Sequence, residues 1–189
     1  MGGCIALVCL IIFWEQRPLS SIGVTFGNFQ AWGIGALLGV FIVISSGLSL
    51  LFAKKRAISG SAHGLLRLAA TPLWFRIAAV FTAGITEEIV FRGYPIERLN
   101  EMTGSLWLAA LVPLAIFTLA HLSAWSVSHL VTVFFGGVVL TALYLWQHDL
   151  VACMIAHTII DAPIIFLPLL TRKLAAAVNA QTQAMGGAT

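Results

Sequence analysis

The apolar and polar positions divide the chain into long uncharged runs separated by short polar connections. Ala31–Ala53 holds no Asp, Glu, Lys or Arg before Lys54-Lys55-Arg56. A bilayer span needs about 20 mostly apolar residues, so a membrane-crossing helix is predicted there. Ser105–Gln147 is equally free of those charges and long enough for two spans with a tight turn near Ser123–Ser126. Leu150–Leu170 reads as another span, interrupted by Asp161, and Leu73–Tyr94 as one with charges in its second half. Cys4–Trp14 is too short to cross by itself. The expected architecture is therefore an all-α, polytopic transmembrane helical bundle of five or six spans, with its polar site inside the bundle.

Trp14, Trp32, Trp74, Trp107, Trp125 and Trp146 all fall at or near the ends of these runs, where an indole satisfies both its apolar ring and its N–H. Lys54, Lys55, Arg56 and Arg67 share one connection, and Arg172 and Lys173 follow the last span. Four spans separate the two groups, so both lie on one side, which the positive-inside rule makes cytoplasmic. The stretch Ile58–Pro72 is expected to lie along the membrane surface. No repeat or linker divides residues 1–189, which read as a single integral membrane domain with a core over 73–170 and a disordered tail over 175–189.

Composition sharpens this picture. With 60% hydrophobic and 9% charged residues and a mean hydropathy of +1.00, the chain is excluded from the soluble globular and disordered classes. Its net charge of +3 is too sparse for a nucleic-acid groove, and three separated cysteines make no disulfide scaffold. Ala6 breaks the myristoylation pattern that Gly2 begins, and no basic region precedes Ile5–Trp14 to make a cleaved signal peptide. The expected location is a multi-pass one, in the cytoplasmic (inner) membrane if the source is prokaryotic.

Ionisable groups inside a bilayer are expensive, and so mark function by default. They occur in three clusters: Thr86-Glu87-Glu88-Ile89-Val90-Phe91-Arg92-Gly93, Phe117-Thr118-Leu119-Ala120-His121, and His157-Thr158-Ile159-Ile160-Asp161. Glu88 and Arg92 are four apart on one helical face and pair. Glu87, rotated about 100° from Glu88, points elsewhere and has no cation near it in sequence, as a general base requires. His157 and Asp161 project together. A depth count at 1.5 Å per residue sets Glu87 and His157 level, but leaves His121 about 10 Å too deep. Gly35-x-x-x-Gly39 reads as a close helix contact. His129, His63, His148, Asp149, Glu97, Arg98 and Glu101 read as interhelical, surface or solvated groups. Cys4, Cys9 and Cys153 read as small apolar ones.

Glu-Glu-x-x-x-Arg, Phe-x-x-x-His and His-x-x-x-Asp, in that order on successive apolar spans, resemble the CPBP family of intramembrane proteases. That family includes the CAAX prenyl endopeptidases and the bacteriocin-processing and abortive-infection proteins. The likeness runs from about Phe81 to Phe166. It includes Phe91-Arg92-Gly93, Gly136-Gly137, Tyr144 and the Leu150–His157 approach. The resemblance implies an endopeptidase that hydrolyses a peptide bond near the membrane surface with activated water. Glu87 would be the general base and His121 its partner on the water, while His157 and Asp161 would face the oxyanion. Glu88, Arg92 and Phe117 would orient the site. Asp161 departs from the Asn of many members, so it must be protonated, orient His157 or bind a cation. No cofactor is favoured, because no His-Glu-x-x-His helix is present. The zinc alternative would use Glu87, His121 and His157. The implied partners are the bilayer and a membrane-presented peptide or protein, with a lipidated or hydrophobic C-terminal tail as one form of it, and no nucleic acid. The rivals are a non-catalytic immunity or scaffold protein of the same fold, and a small proton-coupled transporter.

Overall fold

The computed structural model describes residues 2–52, 68–122 and 127–168, apart from the side chains of 49–52 and 127–129. All regular structure among them is helical. The chain opens with α1 (Gly2–Cys9), which runs on into a π-helical turn, Leu10–Trp14. A short 3-10 turn, Leu19–Ile22, leads to α2 (Phe29–Phe52). Next come α3 (Leu73–Glu88), a second π turn (Ile89–Gly93) and α4 (Tyr94–Thr103). The chain then forms α5 (Leu106–Ala120), α6 (Val127–Gln147), α7 (Leu150–Asp161) and a closing 3-10 turn, Ala162–Phe166. The expected turn at Ser123–Ser126, the surface stretch up to Arg67 (with His63), the basic groups and the tail lie outside the described residues.

Two of these helices, over Phe29–Leu48 and Leu130–Gln147, are long and apolar enough by themselves to cross a membrane. Gly2–Trp14, Leu106–Ala120 and Leu150–Phe166 are apolar but shorter. The bundle turns its large side chains outward. Leu37, Phe41 and Ile44 on α2, Trp74 and Phe81 on α3, Leu111 and Ile116 on α5, and Phe135 on α6 are all exposed. An apolar surface of this extent suits lipid rather than water.

The helix α7 forms the middle of the bundle, packed against α2, α3 and α6. Small residues set the approach. A Cβ on Gly35 would overlap the carbonyl of Ala152, and one on Gly39 would sit 2.9 Å from the carbonyl of Ala156. The expected close helix contact is thus the parallel α2–α7 seam. On the other side, Gly84 of α3 meets Thr158. Asp149 caps the first turn of α7 by accepting from Ala152 N at 2.9 Å, and Thr25 Oγ1 donates to its other oxygen. Asp149 lies in the short connection between α6 and α7, where it is fully buried; His148 beside it is exposed.

Two boundaries differ from the sequence reading. The helix beginning at Leu73 does not end at Tyr94: the π turn joins α3 to α4 in one rod of about 45 Å that ends at Thr103. Pro95, which opens α4, has no N–H and crowds the carbonyl four residues back. A π turn is one way a helix absorbs that defect. The last span changes at Asp161 into a tighter 3-10 turn carrying Pro163. Arg76, buried in α3, donates through Nε to the carbonyl of Ile165 at 3.1 Å. It thereby ties α3 to that turn.

Candidate active site

The site grows from the end of α3. Glu88 and Arg92 are both fully buried, and Arg92 Nη1 donates to Glu88 Oε1 at 2.9 Å. The same oxygen accepts from His157 Nδ1 at 2.6 Å. A carboxylate oxygen engaged this way can only accept, so His157 Nδ1 carries hydrogen and Nε2 is the ring atom left over. That Nε2 lies 3.9 Å from Glu87 Oε2 and 3.6 Å from Asp161 Oδ2. The adjacent glutamates therefore address opposite nitrogens of one imidazole. Glu87 is not isolated from cations, as its place in the sequence suggests; its partner arrives from α7.

Phe117 links this cluster to the second histidine. The Arg92 guanidinium stands 4.1 Å above its ring, and Phe91 and His121 meet it edge-on at 5.3 and 4.7 Å. His121 Nδ1 donates to the Phe117 carbonyl at 2.8 Å. In the neutral ring that leaves a bare lone pair on Nε2.

These contacts also remove the depth mismatch. Phe91 and Arg92 stand level with Phe117 on an antiparallel helix. Four residues back along the rod and four on along α5 therefore bring Glu87 and Glu88 level with His121. The rod carries the chain a further α4 beyond Tyr94 before α5 turns back, a length that the depth count leaves out.

Glu87, His121, His157 and Asp161 line one cavity of about 420 Å³. Its remaining walls come from Val133, Gly136, Gly137 and Leu140 of α6, Ile160 and Ile164, with Ser46 and Thr132 as further polar groups. Residues expected from three separate spans thus share one chamber, with Phe117 in its wall and Glu88 and Arg92 behind it. Ser46 and Thr132 have no counterpart in the sequence reading, because a single hydroxyl in an apolar run looks like any other helix residue. His129 is described only in its backbone. Among the described residues no three His, Cys, Asp or Glu side chains form a metal-binding group. His157 Nδ1 is committed to Glu88, which leaves Nε2 as the ring atom that faces Glu87 and Asp161.

Glu97, Arg98 and Glu101 are not simply solvated. Arg98 donates to Glu15 at 2.6 and 2.9 Å, Tyr144 donates to Glu97 at 2.7 Å, and Arg17 Nη1 reaches Glu101 at 2.6 Å. The bonds of Arg98 to Glu15 and of Arg17 to Glu101 clip the chain after α1 onto α4, and that of Tyr144 ties α6 to it.

The family model described as type II CAAX prenyl endopeptidase Rce1-like matches residues 69–163, half of the chain. No curated protein and no solved structure matches the chain. The matched segment contains Glu87, Glu88, Arg92, Phe117, His121, His157 and Asp161.

Proposed function

Because the chain belongs to the type II CAAX prenyl endopeptidase Rce1-like family, a family of membrane-associated proteases, we propose that it is an intramembrane endopeptidase using glutamate-activated water. The supporting observation is the shared cavity of Glu87, His121 and His157. In this reading α2, α3, α5, α6 and α7 cross the bilayer, and the substrate is a peptide tail presented from it.

A water held between Glu87 and the bare Nε2 of His121 has both hydrogens engaged and a lone pair free for the scissile carbonyl carbon. Glu87 takes a proton as the C–O bond forms. His157, fixed through Nδ1 by Glu88, turns Nε2 to the cavity and, as the imidazolium, donates to the developing oxyanion. Asp161, 3.6 Å from that Nε2, orients the ring. Collapse of the intermediate breaks the C–N bond, and Glu87 returns its proton to the departing amine. No step passes through a metal.

The test uses the full chain in lipid nanodiscs, with a prenylated peptide and an unprenylated hydrophobic peptide as separate substrates. Glu87→Gln should lower cleavage by roughly 100-fold or more while expression and membrane insertion stay at the wild-type level. Normal turnover in that variant overturns the base assignment. A wild-type protein that cleaves neither peptide, yet whose cellular role survives Glu87→Gln, points to the scaffold rival.

A further inference from the structure

Two adjacent glycines of α6 meet different surroundings. A Cβ on Gly137 would lie 2.7 Å from Leu114 Cδ1 and 3.2 Å from the Phe117 ring, so the approach of α5 accounts for that glycine. Among the described residues, a Cβ on Gly136 would meet no heavy atom within 4 Å, and the backbone there is helical with no positive φ. Neither packing nor conformation asks for glycine at 136. Glycine in a helix interior is less favourable than alanine. Gly136 nevertheless lines the same cavity as Glu87, His121 and His157. It stands one turn from Thr132 and one from Leu140 on the cavity face of α6, opposite Ile160 and Ile164 of the α7 side.

We propose that Gly136 is a specificity-determining residue, whose missing side chain leaves the space beside Glu87 and His157 that receives a substrate side chain flanking the scissile bond. The inference rests on the proteolytic reading above. Its physical content is size: any side chain at 136 projects into the cavity and shortens the residue the site admits. The surrounding Val133, Leu140, Ile160 and Ile164 make that space apolar, so little besides volume discriminates within it.

The test remakes one hydrophobic peptide with Ala or Phe at each residue flanking the bond cut, and compares the wild type with Gly136→Ala and Gly136→Leu in nanodiscs. The ratio of kcat/KM for the Phe peptide over the Ala peptide should fall in order of side-chain size, by roughly 10-fold or more in Gly136→Leu. Gly136→Ala should keep or raise Tm, since its methyl meets nothing. An unchanged ratio in a folded Gly136→Leu protein overturns the proposal and makes the position lipid-facing. A lowered Tm in Gly136→Ala overturns the open space on which it stands. Binding of the Phe peptide to Glu87→Gln protein, with and without Gly136→Leu, separates the two readings. Weakening of roughly 10-fold supports the size limit even if the assigned base is wrong. Equal binding overturns the size limit, whatever the chemistry.

Discussion

At Glu88 Oε1 two donors converge, one from its own helix and one from α7. A buried carboxylate with a guanidinium and an imidazole on one oxygen fixes the rotamer of all three, and with them the direction of His157 Nε2. Removing one partner of such a pair costs about 3–5 kcal/mol, because the other charge stays buried and unmatched. Arg92→Ala should therefore lower Tm as well as the rate, whereas Glu87→Gln should lower the rate alone; thermal unfolding in detergent checks both. A stable, inactive Arg92→Ala protein would contradict the structural role. The four-residue spacings were legible in the sequence, since Glu88–Arg92 and His157–Asp161 follow from helical geometry. The shared oxygen was not. It depends on α7 being seated against α3, and that in turn on Gly84 admitting Thr158.

Among elements, the long uncharged runs gave dependable helices: the expected 31–53 span appears as Phe29–Phe52. The Gly35–Gly39 spacing marked a real seam, because only a bare backbone lets α2 reach the carbonyls of Ala152 and Ala156. Gly35→Leu should accordingly force α2 off α7 and lower Tm; the same substitution at Gly33, where a Cβ meets nothing within 4 Å, is the control and should leave Tm close to wild type. The ends of α3 and of the last span were less legible. Tyr94–Thr103 is polar enough to resemble a connection, and Pro95 reads as a stop, yet the rod passes through both. A helix boundary inferred from hydropathy records where the chain leaves apolar surroundings, not where its hydrogen bonding ends.

For the molecule as a whole, the family segment begins at residue 69, but the fold also uses what precedes it. The α2 helix covers one side of α7, and the chain after α1 is clipped to α4 through Glu15 and Arg17. Hydrogen bonds from Arg98, then from Tyr94, hold the Glu15 carboxyl below the usual carboxylate range. A depressed folded value means that the Glu15 contribution is fully present above the unfolded value of about 4.3 and is lost as pH falls through the folded one. Wild-type Tm should thus fall more steeply below about pH 4.3 than that of Glu15→Gln, and parallel Tm–pH curves would refute the linkage. This contact was hidden in the sequence because its partners are about eighty positions apart.

The π turn at Ile89–Gly93 has a consequence for chain length. Each of its wider rings encloses one residue more than an α-helical ring, so the rod holds a spare position just beyond the two glutamates. Deleting Val90 would use up that slack: the rod could close to regular α-helix with Leu73–Glu88 and Tyr94–Thr103 still docked. Arg92 would then stand three places from Glu88 instead of four, and lose its alignment. The two halves of the rod should stay docked, while Tm falls with the loss of the buried Glu88–Arg92 pair.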